Sequence, residues 1–176
     1  MYGNDYARAS KGLKYIFIGE ILAILSLIPL IGGILAIVGL VLQLVGMYTA
    51  GEVHRGFKTA FTVTIINLVL SFVSAFVPFM SILTTILGLV EVYLVCQAAA
   101  DLLREKGDEF QADKGLRVWK MYLVCTVITV VCMVLALIPL LGLIAAVVAV
   151  IASIVLLVAG ILYIIFLYRA QESLNS

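Results

Sequence analysis

Charge is scarce in this chain: only 12% of its 176 residues are charged, against 65% hydrophobic. A water-soluble globule of that size needs more polar surface to cover its exterior, which excludes a soluble domain and leaves lipid as the solvent. Histidine occurs once, as His54, and Cys96, Cys125 and Cys132 sit inside apolar runs with no CxxC pair and no neighbouring histidine. That removes the spacings on which zinc and dithiol sites depend, and the cysteines read as small apolar packing residues. No cofactor or metal is expected.

HExxH, a nucleophile elbow and paired aspartates are all missing, and the glycines lie inside apolar runs rather than in a phosphate-cradling loop. The chain is therefore read as a non-enzyme. A formal charge of +1, with basic residues interleaved among acids, excludes a nucleic-acid partner, because phosphate neutralisation needs a dense basic patch.

What is present is a series of apolar runs between Tyr15 and Tyr168, each close to the roughly 20 residues that cross a hydrocarbon core of about 30 Å. A basic-Gly-apolar-basic tetrad recurs three times: Lys11-Gly12-Leu13-Lys14, Arg55-Gly56-Phe57-Lys58 and Lys114-Gly115-Leu116-Arg117. Each tetrad is followed, 15 to 22 residues on, by a proline in a short uncharged turn, at Pro29, Pro78 and Pro139. Proline lacks an amide hydrogen and disfavours helix at the residue before it, so each of these turns separates two helices. The first tetrad precedes an apolar stretch as in a signal peptide, but its recurrence in mid-chain predicts a retained helix.

The expected fold is all-α and polytopic, with six transmembrane helices as three tandem helical hairpins. The spans fall near 13–28, 32–51, 58–77, 80–100, 117–138 and 142–168, with a hydrophilic linker over 101–116, in a single transmembrane domain covering 1–176. In the linker, Gly107 is placed to end the fourth helix, and Asp108 with Gln111 has the spacing of a capping box for the fifth. All 11 Lys and Arg residues fall on one face of this arrangement. The positive-inside rule makes that face cytoplasmic, with both termini inside (N-in/C-in), in a prokaryotic plasma (inner) membrane. Tyr15, Tyr48, Trp119, Tyr122 and Tyr168 lie beside those charges, where amphipathic rings suit the headgroup layer.

Helices in lipid associate through small side chains that let backbones approach. Gly32, Gly39 and Gly46 fall at seven-residue intervals in the second span, and Ala145, Ala149 and Ser153 at four-residue intervals in the sixth. These stripes are read as packing seams, either within the chain or between copies of it.

Glu20, Gln43, Asn67 and Glu91 are the intramembrane polar set and the candidate ion or proton site. Counted from the nearest end charges, Glu20 lies about 9 Å into the core, and Gln43 and Glu91 about 13–15 Å. A central carboxylate costs roughly 2.5–3.5 kcal/mol on insertion scales, and no basic residue stands at that depth to pair with it. Protonation, hydrogen bonds, a water-filled cavity or a bound cation must offset that cost.

Two functions follow. The leading one is a helix-packing scaffold or accessory subunit whose partners are the lipid bilayer and another membrane protein or a second copy of itself. The alternative is a small proton- or cation-coupled transporter or channel using Glu20 and Glu91.

Overall fold

The structure, a computed structural model, describes residues 2–74, 76–77, 80–135 and 139–175, with side chains described except at 2–3, 139–146 and 149. The described residues are all-helical apart from turns, with six helices in order: α1 Tyr2–Leu25, α2 Gly32–Gly51, α3 Arg55–Ser74, α4 Met80–Glu105, α5 Glu109–Leu135 and α6 Pro139–Asn175. Each helix packs on the next and α6 closes back onto α1, so the bundle is a ring in which α1 and α4 stand opposite one another. Five helices are long and apolar enough to cross a membrane: α2, α3, α4, α5 and the Val150–Asn175 part of α6. The exception, α1, carries Asp5, Arg8, Lys11, Lys14 and Glu20.

The ionic side chains gather at one end of the ring. Arg8 of α1 donates to Glu52 after α2 (3.1 Å), His54 faces Asp101 of α4 (3.8 Å), and Arg104 meets Asp113 of α5 (3.4 Å). Ser10 donates to the Gln171 carbonyl of α6 at 2.7 Å, which joins the first helix to the last. The packed core lies at this cationic end: Ala9, Leu13, Ile16, Met47, Ala50, Phe57, Leu103 and Leu167 are among its buried members. Toward the other end, Ile34, Ile37, Val69, Phe72, Val131 and Ile154 point outward, as apolar side chains do when lipid rather than water surrounds them.

Two helices outrun the expected spans. Hydropathy reports only the lipid-facing length, whereas α1 begins at Tyr2 and α6 continues to Asn175 because their polar ends still bury a stripe, Ala9 and Leu13 on one, Ala170 and Leu174 on the other. At 1.5 Å per residue the 37 residues of α6 measure about 55 Å, well beyond a hydrocarbon core of about 30 Å.

The 101–116 segment is helical apart from residues 106–108, rather than an extended linker. Gly107 takes a φ of +91°, the left-handed region that a side chain resists. Its N–H bonds the Arg104 carbonyl (2.9 Å) and the Asp108 N–H bonds the Leu103 carbonyl (2.8 Å), the paired bonds of a Schellman stop. Asp108 then starts α5 by accepting from the Gln111 N–H at 3.1 Å. Since Asp108 has already spent its own N–H, Gln111 cannot return the second bond of a capping box, and its Oε1 is buried without a partner. Three residues suffice for the reversal, and α6 clasps it: Ser173 donates to Asp108 (2.7 Å) while Lys106 donates to the Ser173 carbonyl (2.5 Å).

Of the proline turns, the first covers residues 26–31 around Pro29. Pro78 lies outside the described residues. Pro139 opens the described part of α6.

Two glycines of α2, Gly39 and Gly46, face α1. A Cβ at Gly46 would stand 2.6 Å from the Gly12 carbonyl oxygen, and one at Gly39 would stand 2.9 Å from that of Gly19. The two backbones thus touch at two levels seven residues apart, each with a glycine on both sides. Gly32 lies instead against Ser26 in the turn. Ser153 is exposed on α6, and the side chains of Ala145 and Ala149 lie outside the described residues.

Candidate functional site

Glu20 sits in α1 one residue past the close contact at Gly19, where the ring's narrowest seam fixes its rotation. From there its carboxyl lies within electrostatic reach of Glu91 on α4, Cys96 on α4, Tyr122 on α5 and Tyr163 on α6. Neighbours on three other helices mean that it points into the ring and not at lipid. Glu91 points the same way from the opposite wall, beside the Thr64 hydroxyl of α3. Both acids are half-buried.

No cation offsets them. Among the described residues neither Glu20 nor Glu91 is in an ion pair, and the basic side chains belong to the cationic end. The Thr64 hydroxyl has one proton and three acceptors in reach, the Ala60 carbonyl (3.0 Å), the Met47 sulfur (3.4 Å) and the Glu91 carboxylate, so it can give Glu91 one hydrogen bond at most. Two carboxyls within electrostatic reach of one another in a low-dielectric interior repel as anions, and sharing a proton or binding a cation relieves that repulsion.

The other two polar residues flank the pair without joining it. Gln43 of α2 lays its side chain against Gly19, at the level of Glu20. Asn67 of α3 has its amide nitrogen 3.9 Å from where a Cβ on Gly88 would lie, one turn of α4 before Glu91. Its Oδ1 is buried with no hydrogen-bond partner, a vacancy for a donor.

Several neighbours were not singled out by the sequence pattern. Tyr122, expected in the headgroup layer, turns inward, with its ring edge-on to Tyr163 at 5.9 Å between centroids. Tyr163 is itself buried. The signal available for both was a hydroxyl inside an apolar run, weaker than that of a carboxylate. Trp119 does lie alongside Tyr93 at 4.9 Å, but its indole nitrogen is buried without a partner. His54 is half-buried, and its Nδ1 caps α3 by accepting the Gly56 N–H (3.2 Å), which aims Nε2 toward Asp101.

Among the described residues no group of three His, Cys, Asp or Glu side chains is close enough to hold a metal ion. Two carboxyls with phenolic and hydroxyl oxygens suit a proton or a hard monovalent cation better than a thiophilic metal. Comparison with protein-family models, with curated proteins and with solved structures finds no match to this chain.

Proposed function

We propose that the chain crosses a membrane six times, as three helical hairpins, with the cationic end and both termini on the cytoplasmic face of a prokaryotic plasma membrane. Within it, the Glu20 and Glu91 pair is the proton- or monovalent-cation-binding site of a small transporter or channel. The observation that carries this reading is that two acids from opposite walls of the ring face one interior with no basic partner. A purely structural clamp needs one acid and a donor, whereas two acids hold a mobile positive charge between them. On this reading the function is non-enzymatic.

The test is uptake or conductance in proteoliposomes. Wild-type protein passes protons or a monovalent cation above the rate of empty liposomes, and Glu20→Gln and Glu91→Gln each abolish the flux. Wild-type flux equal to that of empty liposomes, across several ions and pH values, removes the proposal.

The membrane scaffold or accessory subunit becomes the second reading, supported by an unbroken outward stripe on α2 of Ile34, Ile37, Val41, Val45 and Tyr48. Such a stripe serves a partner helix as well as it serves lipid. It predicts stoichiometric recovery of another membrane protein, or of a second copy, in mild detergent.

A further inference from the structure

A cleft of about 340 Å³ opens between the ends of α1 and α6, lined by Ser10, Lys11, Lys14, Tyr168, Gln171 and Glu172 among others. Its walls are held at fixed separation, since Ser10 donates to the Gln171 carbonyl at 2.7 Å and Phe17 packs on Tyr168 at 5.6 Å between ring centroids. Lys11 and Lys14 are exposed on one face of α1, and neither is in an ion pair among the described residues. Glu172 is exposed and likewise outside the ion pairs described. The Oε1 atom of Gln171 is buried without a hydrogen-bond partner.

These groups ask for two things in one ligand. Two exposed ammonium groups one helical turn apart suit a phosphate, while an exposed carboxylate suits a cationic group bearing N–H donors. On the six-span reading, which this inference rests on, the cleft also lies at headgroup depth: Lys14 and Tyr168 mark where both helices enter the hydrocarbon, and basic pockets between helices at that level hold lipid headgroups.

We propose that the cleft between α1 and α6 binds the headgroup of an aminophospholipid, with the phosphate on Lys11 and Lys14 and the primary ammonium on Glu172. A choline headgroup carries the same phosphate, but its nitrogen has no N–H to give the Glu172 carboxylate. A glycerol headgroup offers hydroxyl donors without the charge that Glu172 attracts.

The experiment is native mass spectrometry of the full, delipidated chain in detergent, titrated with phosphatidylethanolamine, phosphatidylglycerol and phosphatidylcholine of matched acyl chains. A parallel arm uses water-soluble glycerophosphoethanolamine. The ethanolamine lipid is expected to be retained at least about fivefold over the choline lipid, and the Lys11→Gln, Lys14→Gln double variant is expected to lose more than about tenfold in occupancy. Glu172→Gln is expected to bring the ethanolamine lipid down to the level of the glycerol lipid. These are exposed substitutions, and unchanged helical circular dichroism confirms that each variant is folded. Equal retention of all three lipids overturns the headgroup site while leaving the membrane reading in place, as does an unchanged preference in the variants. Uptake of no lipid at all overturns the membrane reading itself. Binding of the soluble headgroup as tightly as the lipid assigns the cleft to a soluble phosphoamine and overturns the lipid proposal.

Discussion

Replacing Gly46 by alanine adds one methyl group where the backbones of α1 and α2 touch, and the structure fixes what it meets. The new Cβ would stand 2.6 Å from the Gly12 carbonyl oxygen, 2.7 Å from Ile16 Cγ1 and 2.8 Å from the Ile16 nitrogen. Two of these three are backbone atoms, which no rotamer change can move. Attractive contact begins near about 3.5 Å, so α1 and α2 must part by roughly 0.7–0.9 Å, a gap that forfeits a quarter to a half of each dispersion well along the seam. The side chains that lose contact include Leu13, Ile16, Met47 and Ala50, all fully buried. In lipid there is little solvophobic force to press the helices together again. Overpacking of this kind costs about 1–3 kcal/mol, against a gain of at most about 1 kcal/mol from replacing glycine inside a helix. Gly46→Ala is therefore destabilising by up to about 2 kcal/mol. Gly33 is the internal control: it lies in the same helix with nothing within 4 Å of its Cβ position, so Gly33→Ala is neutral or stabilising. Unfolding in detergent, followed by circular dichroism against added sodium dodecyl sulfate, measures both. Equal stability of the two variants would refute the intrachain seam, and a change of oligomeric state with the fold intact would assign the stripe to contacts between copies.

Other positions give independent checks by the same unfolding assay. Gly107→Ala forces a side chain into the left-handed region at φ +91° and should cost about 1 kcal/mol; no loss would place the helix stop elsewhere. Asp108→Ala removes both the cap of α5 and the acceptor for Ser173, with an expected loss of about 0.5–2 kcal/mol. Leu30 also has a positive φ, of 81°, and is fully exposed, so Leu30→Gly should stabilise by about 1 kcal/mol, and a loss instead would mean that the Leu30 side chain packs after all. For topology, cysteine at position 30 should react with an impermeant maleimide from outside intact cells and cysteine at position 55 only after lysis; the reverse pattern inverts the chain.

The local stops and starts were legible in the sequence because they depend on a few residues of strict chemistry. Gly107 and Asp108 mark the α4 to α5 reversal by backbone geometry alone. The seam glycines of α2 were visible from their spacing, but their counterparts were hidden: Gly12 stands inside a basic tetrad that reads as a membrane anchor, and Gly19 sits beside the conspicuous Glu20. Helix length at the cationic end was not legible, because burial of Ala9, Leu13 and Leu174 by a neighbouring helix leaves no mark on hydropathy. At the site, a lone carboxylate in an apolar run announces itself by its insertion cost. Whether two of them meet depends on how the ring closes between α1 and α6, a non-local property. The inward turn of Tyr122 and Tyr163 follows from that closure too, since an amphipathic ring near a helix end satisfies the headgroup layer and an interior cluster equally well.

The closeness of Glu20 and Glu91 in one interior is tested most directly by their carboxyl infrared bands, followed across pH in reconstituted wild-type protein and in the Glu20→Gln and Glu91→Gln variants. Two carboxyls that share a proton titrate as a coupled pair, so removing either one is predicted to shift the band of the other and to merge two protonation steps into one. Bands that titrate independently, each unmoved by substitution of the other, would contradict the shared site.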